Sequence, residues 1–389
     1  MDTSRKPAAL GLLFLLVSLL ACSLPMEWVF ERPTPEALPS PTQGLSPTPL
    51  PTRPTSPTRT WAVSPTNTAL PPITPTPGPT RAATLPPLST PTPFSHIAAP
   101  TVLSQADYQV VERIQLTNAG PGTVEHLTLR VALIRSLVPY QDVLRYDVQP
   151  SPVETTQDEY GNEYGLIEFR NLGAGESVAA TLTYQLRVYG LLHDLSLCSG
   201  EVPQTDRDPE TYVESDSEDI EALARELSNG RRNACEILKV LYDYVGDNIS
   251  YVSYESADRG AAWALNQGSG DCTEFADALL ALSRAAGIPA RFLEGVTYRE
   301  GERQDPNQIK HDWLEAYLPG HGWGPLDPTW GRFPNRRDAY FARMSQDHII
   351  VTVGRNLSTL RGSHYFYYNW SGADVNLSHR GTWSVSKTP

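Results

Sequence analysis

The sequence predicts an α+β fold placed behind an all-β module, and three observations predict it. Between about residues 104 and 200, apolar and polar residues alternate with a period of two. After about residue 205 the apolar spacing becomes helical, and later it returns to strands. Ahead of both, 20 of the chain's 35 prolines and about 15 threonines fall between residues 31 and 100. That composition cannot bury a core, so it predicts an extended, disordered segment.

The N-terminus is read first. Arg5 and Lys6 precede the apolar run from Ala8 to Ala21. The run is short for a membrane span and suits the core of a signal peptide. It ends in Leu19-Leu20-Ala21-Cys22-Ser23, which resembles a bacterial lipobox with Cys22 as the lipidated residue. Leu20 is a less usual residue there, and an ordinary cleaved signal peptide or an uncleaved anchor stays open. Each of these readings places the body outside the cytoplasm. Residues 1–21 are thus expected to form a signal peptide and 22–100 a Pro/Thr-rich stalk. In polyproline II the stalk would span on the order of 200 Å.

Residues 101–205 are expected to form an immunoglobulin-like β-sandwich. Leu127, Leu129, Val131 and Leu133 alternate with polar or small residues, as do Val178, Ala180, Leu182, Tyr184, Leu186 and Val188. Turn clusters such as Asn118-Ala119-Gly120-Pro121-Gly122 separate the runs. Short alternating strands with such turns favour an antiparallel sandwich. No grouping of His, Cys and carboxylates stands out here, so the module reads as accessory.

Residues 206–389 form the third unit. Ser215-Asp216-Ser217-Glu218 has the form of a capping box, followed by Ile220, Leu223, Ala224 and Leu227 at helical spacing. Asn229-Gly230 ends that helix. Ala234 to Val245 predicts a second helix, and Cys272 to about Ala286 another, stopped by Gly287 and Pro289. Ala290 to Val296 predicts a strand. A charged loop from Tyr298 to Lys310 leads to a strand carrying His311. A turn over Gly320–Gly324 precedes the strand delivering Asp327. Strands after Asp347 are expected to extend the same sheet.

The net charge of −13 argues against nucleic acid as a partner. The acidic run from Asp206 to Glu221 lacks the spacing of a calcium loop. Neither a cofactor nor a metal is expected. Among four cysteines, Cys22 reads as the lipid site, while Cys198 and Cys235 either pair or pack as free thiols.

Cys272 is the candidate nucleophile. It opens a helix after Gly268-Ser269-Gly270-Asp271. A helix start favours an anion, which predicts a lowered thiol pKa, and its N–H can serve a developing oxyanion. His311 can act as base and acid, and Asp327 can orient its ring. Singly, each residue has an ordinary structural explanation: core thiol, structural histidine, turn-forming aspartate. His321, in Pro319-Gly320-His321-Gly322, competes with His311 and reads as an exposed loop tip. A Cys/His/Asp metal site is disfavoured by having only three widely spaced ligands.

Together the segments resemble the transglutaminase-like core superfamily. They are Gly270-Asp271-Cys272-Thr273-Glu274-Phe275-Ala276, Leu282 to Arg291, His311 to Tyr317, and Gly322 to Thr329. The resemblance covers roughly residues 210 to 335. It implies a papain-like fold with Cys272, His311 and Asp327 as a catalytic triad. It also implies a thioester acyl-enzyme formed from an amide and resolved by water or an amine. The family's oxyanion-stabilising tryptophan has no secure match; Tyr251, Tyr254 and Trp263 are candidates. Its calcium loops are not recognisable. Trp313, Trp323 and Trp330 surround the motif and are expected to pack rather than bind substrate. The expected partners are a peptide or protein substrate, such as an envelope or cell-wall peptide, and the membrane through the lipid anchor. A binding or structural lipoprotein that keeps the fold without turnover is the competing expectation.

Overall fold

A computed structural model describes residues 97–254, 257–300 and 309–388. The expected signal peptide, Cys22 and almost all of the stalk lie outside these residues. The described chain opens with six strands: β1 (Thr101–Asn118), β2 (Val124–Leu133), β3 (Gln141–Gln149), β4 (Glu154–Gln157), β5 (Glu163–Leu172) and β6 (Ser177–Leu192). Side chains in β1 from Ala106 onward are buried at every second position, as the period of two requires. Four helices follow: α1 (Glu218–Ser228), α2 (Ala234–Asn248), α3 (Ala261–Gln267) and α4 (Cys272–Ala285). Two short strands, β7 (Ser250–Tyr251) and β8 (Ser269–Gly270), pair in parallel among them. The remaining strands are β9 (Ala290–Thr297), β10 (Lys310–Leu318), β11 (Gly322–Leu326), β12 (Arg343–Met344), β13 (His348–Val353), β14 (Phe366–Ser371) and β15 (Leu377–Thr388).

Three larger sheets result. One runs β12-β6-β1-β15 with β3 also on β6, and a second runs β14-β2-β5-β4. Their inner faces, with Val110, Ile114, Leu129, Leu182 and Trp383, form the sandwich core. The third sheet runs β11-β10-β9-β13, antiparallel throughout. Val296, Ile309, Ile349 and Val351 join the sandwich core, so the third sheet packs on the sandwich. Phe292, Leu314 and Ala316 join the helical core, where α4 contributes Phe275, Leu279 and Leu282. The third sheet is therefore the middle layer between helices and sandwich. Removing Leu279, wholly buried there, would cost about 2–5 kcal/mol as Leu→Ala.

Helices α1, α2 and α4 and the antiparallel sheet fall where the periodicity puts them, α3 is an addition to them, and the end of the expected last unit pairs elsewhere. The segment 206–389 is not one continuous unit. β13 does extend the third sheet, yet β14 pairs with β2 and β15 with β1, so residues 366–388 complete the sandwich. The physical reason is that β1 and β2 would otherwise expose bare edges, which neighbouring strands must cover. The capping box expected at Ser215 does not form: Ser217 is the N-cap of α1 and its side chain makes no capping bond. Cys198 and Cys235 are joined by a disulfide, with Cα atoms 6.4 Å apart. It ties the segment after β6 to the start of α2.

Candidate active site

Cys272 is the first residue of α4, and its placement follows from the turn before it. Gly268 sits at φ +64°, ending α3 in a left-handed conformation that glycine adopts without strain. A Cβ on Gly270 would stand 2.4 Å from the Glu274 side chain, so only glycine fits there. Asp271 caps α4, accepting from Thr273 N–H at 2.9 Å, and Glu274 Oε2 accepts from Asp271 N–H at 3.1 Å. This reciprocal cap fixes the first turn. The Cys272 N–H lies among the first-turn donors that have no intrahelical acceptor.

His311 and Asp327 meet as expected. β10 and β11 pair in antiparallel register from Leu314 opposite Leu326, and the chain continues into Asp327. His311 Nε2 lies 2.8 Å from Asp327 Oδ2, both side chains buried. Asp327 is wholly buried, yet its pKa is lowered: burial alone would raise it, and His311 and His348 outweigh that. An ionised Asp327 can only accept, so His311 Nε2 donates and Nδ1 is left as the basic nitrogen. Trp313 and Trp330 stack on the His311 ring at centroid distances of 5.6 and 5.2 Å. Both tryptophans thereby pack against the imidazole, and Trp330 also faces the cavity that holds Cys272.

A cavity of about 440 Å³ is lined by both Cys272 and His311, together with Tyr251, Tyr254 and Trp330. A further bond ties α4 and β10 directly. Thr273, next to the thiol, donates to Asp312 Oδ2, next to the imidazole, at 2.7 Å. A larger cavity of about 880 Å³ lies by the disulfide, lined by His193, Asn233 and Cys235. Burial and His321 hold His193 down to about 4, so it is neutral at physiological pH and joins no thiol or carboxylate pair there.

The electrostatics of the thiol differ from the sequence expectation. Burial pushes the Cys272 pKa well above its ordinary value, and Asp312 and Asp271 push the same way; a hydrogen bond from the Asp312 backbone opposes them. Burial and these carboxylates thus oppose the helix start, which by itself favours an anion.

One expectation about a histidine also changes, and one histidine is added. His321 is no exposed loop tip: it is buried, its ring nitrogens 3.2 Å from Ala98 O and 3.0 Å from Asp194 O. It has no part in the cavity with Cys272. His348, which the sequence reading missed, does reach the site. Its Nε2 lies 3.3 Å from Asp327 Oδ2 and its Nδ1 2.8 Å from Asp347 Oδ1. Bonds to both carboxylates raise His348 to about 9 against the pull of burial. His311, Asp327 and His348 could each turn one ligand atom to a metal. In this structure those atoms are engaged in hydrogen bonds to one another and to Asp347. The only sequence signal of His348 was the dipeptide Asp347-His348 at the start of β13.

Of the three candidate oxyanion side chains, Tyr251 and Tyr254 line the cavity. Pairing of Tyr251 with Gly270 across β7 and β8 brings it to the start of α4. Trp263 instead packs under the Arg259 guanidinium, 4.9 Å from its ring centroid.

Residues 221–328 match the model of the transglutaminase-like superfamily. The uncharacterised protein YebA of Bacillus subtilis (strain 168) is 29% identical over 183 residues, 42% of this chain and 24% of that protein. A protein-glutamine gamma-glutamyltransferase of Pseudomonas aeruginosa is 37% identical over 75 residues, 18% of this chain and 11% of its own length. The matched segments thus span about a quarter or less of these relatives. Among solved structures, a candidate cysteine protease from Cytophaga hutchinsonii aligns at a TM-score of 0.53 and 15% identity, covering 74% of this chain and all of that one. That likeness concerns the fold.

Proposed function

We propose that this chain, whose residues 221–328 form a transglutaminase-like domain, is a thiol enzyme acting on amide bonds outside the cytoplasm. The observation that carries the reading is the His311–Asp327 pair, 2.8 Å apart, whose imidazole shares one cavity with the thiol at the head of α4. Cys272 Sγ would attack the amide carbonyl carbon while its proton passes to His311 Nδ1. Negative charge on the carbonyl oxygen would be met by the Cys272 N–H and the Tyr251 hydroxyl. His311 would then protonate the leaving amine, the C–N bond would break, and a thioester would remain. Water, deprotonated by the same imidazole, would release the acid and restore the thiol. The Asp327 carboxylate keeps the ring oriented throughout.

Hydrolysis is the first reading because water is abundant outside the cell. Transfer to an amine is the second, favoured by the Pseudomonas relative whose name carries that activity. The lipobox-like segment at Cys22 supports a membrane anchor, with peptides or proteins of the envelope or cell wall as substrates. The full chain is to be incubated with a peptide library, with and without a primary amine, and the products weighed by mass spectrometry. Acids without amine adducts support the peptidase reading, and amine adducts the transferase reading. If Cys272→Ala gives the same products as the parent, or neither product forms, the enzyme reading fails and a binding lipoprotein replaces it.

A further inference from the structure

The charge of the thiol's cavity opposes the charge of the chain. The protein carries a net −13, yet Arg299, Lys310 and Arg332 line the cavity that holds Cys272, and no Asp or Glu lines it among the described residues. Three carboxylates do lie near the thiol, but they belong to its walls. Asp271 caps α4, Asp312 accepts from Thr273, and Asp327 is taken up by His311 and His348. All three are buried.

The cations are held in position. The Arg332 guanidinium lies over the Tyr251 ring at 4.7 Å and the Phe333 ring at 4.2 Å, and donates to Thr329 O. Lys310 precedes His311 on β10 and its amine lies 5.1 Å from the Tyr365 centroid. Arg299 lies over Trp330, 5.5 Å from the centroid. Burial is the main cause that lowers the Arg332 pKa; Tyr251 and Asp327 oppose it, and the Arg299 charge adds a smaller lowering. The adjoining cavity, which shares Arg299, Trp330 and Arg332, mixes Arg336 with Glu300 and Asp347, so among the described residues the single-sign lining belongs to the thiol's own cavity.

We propose that the site selects acidic peptides, with carboxylates flanking the scissile amide set against Lys310 and Arg332. The proposal rests on the reading of this cavity as the place of amide attack. Side chains of one sign lining a partly closed site raise the local concentration of the opposite charge and disfavour like-charged competitors.

Alkylation of Cys272 in the full chain tests this without turnover. The ratio of rate constants for anionic iodoacetate and neutral iodoacetamide is measured and divided by the same ratio for glutathione at the same pH. The expected quotient is on the order of 10, falling several-fold in Lys310→Gln, in Arg332→Gln and in the parent protein at 0.5 M salt. Pentapeptide amides with Glu beside a central Gln should protect the thiol at roughly 10-fold lower concentration than analogues with Gln or Lys there. A quotient near 1 that neither salt nor substitution moves, or protection blind to peptide charge, overturns the inference. The salt series on the parent protein decides the matter even where a variant fails to fold. Turnover with a charge-blind thiol defeats only this inference, while a charge-selective thiol without turnover defeats only the catalytic reading.

Discussion

Thr273 donates its hydroxyl to Asp312 at 2.7 Å, and this bond joins the residue after the thiol to the residue after the imidazole. The head of α4 and the start of β10 are separated by 39 residues along the chain, so nothing local sets their spacing. A buried carboxylate that loses its donor is left unsatisfied, at a cost of about 1–3 kcal/mol. Thr273→Val should therefore lower stability by that amount in denaturant titrations. It should also lower kcat by on the order of 10-fold or more, because small displacements between thiol and base are expensive. Thr273→Ser, which keeps the hydroxyl, should recover most of both. An unchanged kcat in the valine variant would remove the bond from the positioning of the site.

The shared oxygen of Asp327 gives a pH signature. His348 titrates at about 9 in the fold against an ordinary 6.5, a raised value, so its contribution to stability is complete below pH 6.5. That contribution is lost as pH rises through about 9. Thermal melts of the parent protein should weaken across this window, and His348→Gln should flatten the decline. The opposite sign holds for Asp327, whose lowered pKa makes its contribution present above pH 3.8 and lost in strong acid.

Cys272 should alkylate as a hindered thiol. Burial with Asp312 and Asp271 raises its pKa, so the iodoacetamide rate should keep climbing through pH 9 rather than level off near pH 6. Asp312→Asn removes one of the raising charges while keeping an acceptor for Thr273. It should speed alkylation at a fixed pH of 8 severalfold. A plateau near pH 6 in the parent protein would mean a preformed thiolate and an ion-pair mechanism instead.

The parts legible in the sequence were those set by local chemistry. The Gly-Ser-Gly-Asp turn before Cys272, the Gly287 stop and the order of strands carrying His311 and Asp327 depend on residues near one another, and periodicity reports them. What escaped depends on long-range pairing. β14 and β15 look like continuations of the strands before them, and only the open edges of β1 and β2 draw them back to the sandwich. His348 follows Asp327 by 21 residues and reaches it because β13 lies beside β9, across that strand from β10. His321 looked exposed because glycines flank it, but the chain at Ala98 covers it. The thiol's raised pKa escaped largely for the same reason: burial by the fold is its main cause, and Asp312, which adds to it, is distant in sequence and adjacent in space.

The disulfide closes 37 residues, from Cys198 to Cys235. Loop closure of that length removes unfolded-state freedom equivalent to about 3–4 kcal/mol. Reduction should lower the melting temperature by on the order of 5–10 °C. The Cys198→Ser, Cys235→Ser double variant should melt where the reduced parent does and should not respond to reductant. Because the bond clamps α2 and not α4, the alkylation rate of Cys272 at 25 °C should stay the same in that variant.

Glu112 tests how the sandwich meets the third sheet. It lies on the buried face of β1, fully enclosed, and neither carboxyl oxygen has a hydrogen-bond partner among the described residues. Burial raises its pKa well above the usual value, Lys310 opposes and Glu294 adds to the rise. The folded state thus prefers the neutral acid, so stability is greatest below the ordinary glutamate range and declines as pH rises toward the folded value. Glu112→Leu removes a buried polar group and fills similar volume. It should stabilise the protein by on the order of 1–3 kcal/mol in denaturant titrations. The gain should be larger at pH 8 than at pH 5, because only the parent protein weakens over that interval. A substitution that destabilises equally at both values would mean that the carboxyl is held by a partner such as an internal water, and that its burial is compensated.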